Sequence, residues 1–259
     1  MNIYGILGYP LGHSFSRKFF LNKFEKENIS ADFQNFELEN AQDILNIIQN
    51  RIELKGFCVT IPHKEHIIPF LDECDRAIDH IGAVNCVKII REGKDFKLKG
   101  YNTDVMGFEE SFKEYLKPHQ KKALILGTGG ASKAVAYIMR QLGISYEVVS
   151  RNKTLTTLCY EDITAGKLQE VQIVINTTPL GMYPNIDTCP GIPYEAVNTS
   201  HYFYDLVYNP LETLFLQKAK EQGATTKAGM DMLELQAEKN WLIWTTDYDA
   251  SRWSIEIKN

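Results

Sequence analysis

Residues 123–152, ALILGTGGASKAVAYIMRQLGISYEVVSRN, decide how this chain is read. An apolar run, Ala123 to Leu126, meets a glycine-rich turn, Gly127-Thr128-Gly129-Gly130, with no spacer. Good helix formers follow from Ala131 to Leu142, Gly143 stops them, and a β-rich run from Tyr146 to Val149 ends at Ser150-Arg151. Strand, glycine turn, helix and strand in that order form the opening βαβ unit of a dinucleotide-binding fold. Glycines let the backbone approach a pyrophosphate, and a helix start offers unbonded N–H groups at the positive end of its dipole. Gly127, Thr128, Gly129, Gly130 and Ala131 are therefore the expected phosphate loop. Ser132 stands where the fingerprint's third glycine would be, and a plain strand-to-helix turn is the alternative reading.

The end of the second strand separates two cofactors. An NAD site usually places an acidic residue about 20 residues after the glycines, where it binds the ribose 2′-hydroxyl. Here that place reads Ser150-Arg151-Asn152-Lys153, with two cations and no acid. A carboxylate would repel a 2′-phosphate, whereas a guanidinium fork matches its oxygens. The segment favours NADP(H) over NAD(H); a solvated basic loop is the bland alternative.

The chain's 259 residues suffice for one large domain or two modest ones. A net charge of −5 gives no general attraction to nucleic acid or an anionic membrane. The five cysteines (Cys58, Cys74, Cys86, Cys159, Cys189) form neither a CxxC pair nor a metal-ligand cluster, which suits a reducing cytoplasm and predicts no metal. The first residues, MNIYGILGYPLGHS, lack the profile of a secretory signal, and no apolar run approaches the ~20 residues that span a bilayer. The expectation is a soluble cytoplasmic protein.

Before residue 123, strands are expected over 3–8, 32–37, 54–60 and 83–90, the last pairing with 96–100 across Glu92-Gly93. Helices are expected from Ser16, which can cap a helix marked by Phe19, Phe20 and Phe24, and over 41–48 and 72–80. Asn102 or Thr103 caps a further helix, and Lys117 to Lys122 reads as a linker. Beyond the βαβ unit, strands over 171–176 and 202–207 precede helices over 211–222 and 230–244. Strands alternating with helices argue for an α/β fold. Ligands bind off the carboxyl ends of parallel strands, so Thr177, Thr178, Leu206 and Tyr208 are candidates to line a nicotinamide.

Several polar residues have both plain and functional readings. Lys64, just past a strand end, is either a solvated charge or a proton donor beside a substrate hydroxyl. Asp104 is a helix N-terminal charge or an active-site acid. Ser14 and Ser16 fit caps, Gln236 fits a helix surface, and Asn85 within Ala83-Val84-Asn85-Cys86-Val87 needs hydrogen-bond partners.

These residues fall in the order of a known family. The chain resembles the shikimate dehydrogenases through YGILGYPLGHSFS (4–16), GFCVTIPHK (56–64), GAVNCV (82–87), GYNTD (100–104) and GTGGAS (127–132). The likeness continues through SRN (150–152), NTTPLGM (176–182), DLVYNPLET (205–213) and GMDMLELQA (229–237). The resemblance implies two α/β domains: an N-terminal substrate domain (1–103 plus 238–259, the C-terminal helices returning to it) and a Rossmann-like NADP-binding domain (104–237), with a catalytic cleft between them. It implies NADP-dependent interconversion of shikimate and 3-dehydroshikimate in chorismate and aromatic amino acid biosynthesis, by a monomer or homodimer.

Residue by residue, the resemblance implies that Ser14 and Ser16 bind the substrate carboxylate, with Tyr208 near it, and that Thr60, Asn85 and Gln236 bind ring hydroxyls. It implies Lys64 and Asp104 as the catalytic pair. Gly127 to Ala131 match the phosphate loop, Ser150, Arg151 and Lys153, with Asn152 between them, lie in the 2′-phosphate segment, and Leu206 and Gly229 match the nicotinamide region, where the strand-end reading also puts Thr177. The family commonly shows proline after the second serine and histidine a few residues on; here stand Arg17 and Phe20. Thr154 does not supply the family's second cation, so either Lys153 serves in its place or the preference for NADP is weaker. A quinate/shikimate dehydrogenase that also uses NAD, and a silent nucleotide-binding sensor, stay open as alternatives.

Overall fold

A computed structural model describes residues 1–12, 15–93, 95–152 and 154–248. The chain divides into two compact units, Met1–Thr103 with the chain from Gln236 onward, and Asp104–Leu235. Each contains a six-stranded sheet.

The first unit runs β1 (Asn2–Gly8), α1 (Phe15–Lys26), β2 (Ala31–Glu37), α2 (Ile44–Asn50), β3 (Leu54–Val59), α3 (His63–His66), β4 (Glu73–Cys74), α4 (Arg76–Ile81), β5 (Cys86–Glu92) and β6 (Asp95–Tyr101). Its sheet order is β2-β1-β3-β5-β6-β4. The β1 pairings are parallel, whereas β5 runs antiparallel to both β3 and β6. One face buries Leu7, Ile44, Ile48, Phe57 and Val87; an aromatic cluster of Tyr4, Phe20, Phe24, Phe33 and Trp244 forms the other core. Trp244 is fixed there by its indole N–H, which donates to the Val87 carbonyl at 3.0 Å.

Three local expectations change. α1 begins at Phe15, so Ser16 sits inside its first turn instead of capping it. The helix expected over 72–80 starts only at Arg76. Asp72 Oδ2 accepts from the Leu98 N–H at 2.7 Å and Asp75 caps α4 through the Ala77 N–H, so these side chains hold the preceding backbone beside β6. The helix over 41–48 opens as a 3-10 turn, Ala41–Asp43.

The second unit holds most of α5 (Thr103–Lys113), then β7 (Lys122–Leu126), α6 (Gly130–Gln141), β8 (Ser145–Ser150), β9 (Thr157–Cys159), α7 (Ala165–Gln169), β10 (Ile173–Asn176), β11 (Tyr202–Asp205), α8 (Leu214–Glu221), β12 (Thr225–Ala228) and the start of α9 (Met230–Thr245). The 117–122 segment lies inside this unit, joining α5 to β7. All sheet pairings are parallel, in the order β12-β11-β10-β7-β8-β9. Counted from β7, that is 6-5-4-1-2-3, the Rossmann strand order, with its switch point between β7 and β10. β10 and β11 are buried along their whole length, as strands covered on both faces must be. α8 starts at Leu214, three residues later than expected, because the Thr213 side chain accepts from the Leu216 N–H and sets the cap there.

Among the described residues, no helix is long and apolar enough to cross a membrane.

Candidate functional site

The switch point of the second unit opens into a cavity of about 520 Å³, within the range of small-molecule sites. Gly127, Thr128 and Gly129 line it from the β7 end, Val149 to Asn152 from the β8 end, and Thr177 to Leu180 from the β10 end, with Tyr160 beside them.

The glycines of the loop have different causes. Gly127 has φ +115°, and a Cβ there would lie 2.6 Å from Thr177 Oγ1, so the fold itself requires glycine. A Cβ on Gly129 or Gly130 would meet nothing within 4 Å. Protein packing does not demand glycine at these two positions, and the bare backbone there leaves room for a ligand to approach it. Gly129 is the N-cap of α6 and makes no side-chain cap bond, so the first N–H groups of a twelve-residue helix are left for a ligand. This cradle fits a pyrophosphate.

At the β8 end, Arg151 and Asn152 are exposed and line the cavity, and no salt bridge engages Arg151 among the described residues. Among the described residues, no carboxylate belongs to the lining. The electrostatics suit an anionic 2′-phosphate. Lys153, the expected second cation, lies outside the described residues, as does Ser14. Tyr160 was not legible as a lining residue, because nothing in its spacing sets it apart from a core aromatic.

At the β10 and β11 ends, Thr177 donates to the Leu126 carbonyl from both its N–H (2.9 Å) and its hydroxyl (2.7 Å). Leu206 and Gly229 are brought together: a Cβ on Gly229 would lie 2.4 Å from the Leu206 carbonyl oxygen. Tyr208 is half-buried in the loop after β11.

In the first unit, polar candidates form a buried network. Asn85 Oδ1 accepts from the Thr103 N–H at 2.6 Å and lies 3.2 Å from the Thr103 hydroxyl oxygen. An N–H donor requires an oxygen opposite, which fixes the amide orientation and leaves Asn85 Nδ2 as a donor with no partner among the described residues. The Thr103 hydroxyl donates to Asn240 Oδ1 at 2.7 Å, and Asn240 Nδ2 donates to Gln236 Oε1 at 3.3 Å. Asn85 and Gln236 are thus tied through two residues that sequence reading did not single out as site residues. The available signal for Asn240 was its place one helical turn after Gln236.

Thr60 follows β3, its N–H bonded to the Leu7 carbonyl at 2.9 Å. Lys64 sits in α3, and its carbonyl accepts from the Val84 N–H at 2.8 Å. The preceding His63 is buried, and its Nε2–H donates to the Leu38 carbonyl at 2.7 Å. These bonds fix the backbone of Lys64 against β2 and the lead-in to β5. Ser16 is half-buried in the first turn of α1, and Asp104 lies in the first turn of α5 in the second unit. Among the described residues, no group of three or more His, Cys, Asp or Glu is placed to hold a metal ion.

Residues 6–87 match the family model for the shikimate dehydrogenase substrate binding domain. The chain is 37% identical to the shikimate dehydrogenase (NADP(+)) of Methanosphaera stadtmanae, with 94% of this chain and 91% of the relative covered. It is 35% identical to that of Caldanaerobacter subterraneus subsp. tengcongensis, over 95% and 92% of the two chains. Among solved structures, shikimate 5-dehydrogenase from Thermus thermophilus, in complex with NADP(H) and shikimate, superposes with a TM-score of 0.81 at 29% identity, covering 97% and 96% of the two chains.

Proposed function

The chain belongs to the shikimate dehydrogenase family, and from that premise we propose that it reversibly reduces 3-dehydroshikimate to shikimate with NADPH, in the cytoplasmic route to chorismate and the aromatic amino acids. The observation that carries the cofactor choice is the acid-free, glycine-rimmed cavity edged by Arg151. The second unit is the NADP-binding domain in this reading and the first is the substrate domain. Gly127 to Ala131 hold the pyrophosphate, Ser150 to Lys153 the 2′-phosphate, and Thr177, Leu206 and Gly229 the nicotinamide.

Bound NADPH supplies the hydride. The substrate's ketone oxygen gains negative charge as its carbon is reduced, and Lys64 stabilises that charge and donates the proton that neutralises it. In the reverse direction, neutral Lys64 accepts the hydroxyl proton. Asp104 accepts a hydrogen bond from the same hydroxyl and orients Lys64. Asn85 offers its Nδ2–H to a ring hydroxyl, because its oxygen is committed to Thr103. Thr60 and Gln236 bind further ring hydroxyls. Ser14 and Ser16 take the carboxylate, with Tyr208 beside it.

The test is a steady-state assay that crosses shikimate and quinate with NADP⁺ and NAD⁺ and follows reduced nicotinamide. Turnover confined to shikimate with NADP⁺ is the expected result. Comparable rates with quinate or NAD⁺ would reassign the chain to the broader quinate/shikimate group. Folded protein that binds NADP⁺ but turns over neither acid would make it a nucleotide sensor.

A further inference from the structure

Two of the sequence stretches, NTTPLGM (176–182) and DLVYNPLET (205–213), contain polar residues that the proposed reaction does not use, namely Asn176, Asp205 and Thr213. All three are fully buried. Asp205 Oδ1 accepts from Asn176 Nδ2 at 2.9 Å and from the Val207 N–H at 3.0 Å, and Oδ2 accepts from the Thr213 hydroxyl at 2.6 Å. Asn176 extends the network, its Oδ1 accepting from the Thr178 N–H at 3.0 Å and the Thr178 hydroxyl at 2.7 Å. Thr178 Oγ1 in turn accepts from the Leu180 N–H at 3.3 Å. The Leu206 N–H donates to the Asn176 carbonyl at 3.0 Å. One carboxylate thereby connects the loop after β10, the loop after β11 and the cap of α8.

No salt bridge engages Asp205 among the described residues. Burial pushes its carboxyl up to about 6, against the three hydrogen bonds that pull it down. A buried carboxylate without a cation is expensive, and an apolar side chain would close a strand end at lower cost. The network's return is geometric. Thr177, Thr178, Pro179 and Leu180 form the cavity lining at the β10 end, and Leu206 follows Asp205 directly. With the pyrophosphate at the β7 end and the adenosine 2′-phosphate at the β8 end, the nicotinamide falls at β10 and β11.

We propose that Asp205 is a positioning residue for the nicotinamide half of the cofactor, holding Thr177 to Leu180 and Leu206 in place while leaving the adenosine half to Arg151 and the glycine loop. This rests on the NADP(H) reading above. The test is calorimetric titration of the full chain and its variants with NADP⁺ and with adenosine 2′,5′-bisphosphate, which lacks the nicotinamide half. Asp205→Ala is expected to weaken NADP⁺ about tenfold and to leave the bisphosphate within about twofold. Asp205→Asn is expected to recover most of the loss, since its amide oxygen still accepts from Asn176 and Val207 and its NH₂ faces Thr213 Oγ1. Thr213→Val removes one donor outside the cavity lining; should Asp205→Ala fail to fold, Thr213→Val is expected to show the same selective loss at about threefold. Equal weakening of both ligands, or no weakening of NADP⁺ in folded variants, would overturn the proposal. An unsubstituted chain that binds neither ligand would end the cofactor reading together with this inference; one that binds both while the variants bind equally well would end the inference alone.

Discussion

Gly127 and Thr177 meet where β7 and β10 part: a Cβ on the glycine would lie 2.6 Å from the threonine hydroxyl oxygen, at a backbone φ of +115°. The close approach lets Thr177 donate to the last carbonyl of β7 while it edges the cavity. A requirement of the fold and a requirement of the site coincide at one residue.

Gly127→Ala should therefore destabilise the protein by about 2 kcal/mol or more, from left-handed backbone strain and the clash together. Gly130→Ala, in open space at the first turn of α6, should change stability by less than about 0.5 kcal/mol yet weaken NADP⁺ about tenfold, by placing a methyl in the pyrophosphate's path. Chemical denaturation paired with calorimetric binding separates the two. Equal stability losses would show that Gly130 is structural as well.

Arg151→Ala should raise the Michaelis constant for NADP⁺ about tenfold and leave that for NAD⁺ unchanged, because only the 2′-phosphate gives the guanidinium an anionic partner. An unaltered NADP⁺ constant would place the 2′-phosphate on another cation.

The glycine turn, the acid-free strand end and the buried parallel strands were legible because each is a local pattern: backbone freedom, charge, continuous apolarity. The outer strands β9 and β12 were not, since Thr157–Cys159 and Thr225–Ala228 are short and only half-buried. Their strand character comes from pairing with β8 and β11. Lys117 to Lys122 looked like a linker by composition, but it is a loop within the second unit. Nor could spacing join Thr103 to Asn240 across 137 positions; only the fold puts the hydroxyl of one on the amide of the other. Asp205 read as part of a motif, and its value as a hub emerged only from three partners on different elements.

Lys64→Ala should lower turnover by about 10²–10⁴-fold, the span of general acid–base catalysis, while both Michaelis constants stay within about threefold. The role assigned to the lysine lies in the transition state, where the substrate oxygen becomes anionic. Steady-state kinetics on folded variant decide it. A near-normal turnover number would remove Lys64 from the chemistry, and a loss confined to shikimate affinity would make it a binding residue.

Asp205 also gives the fold a pH signature. Its carboxyl rises from 3.8 to about 6 in the native state, chiefly through burial. The native state therefore holds this proton more tightly than the unfolded chain does, and the linked stability is fully present below about pH 4. It is lost as pH rises through about 6, and the full swing is worth about 3 kcal/mol. Asp205→Asn cannot titrate. The stability of the unsubstituted protein relative to Asp205→Asn should thus fall between pH 4 and about 6.5 and level off above, by urea denaturation at matched ionic strength. A difference that rises over this interval would mean that the hydrogen bonds from Asn176, Val207 and Thr213 outweigh burial and hold the carboxyl below its ordinary value.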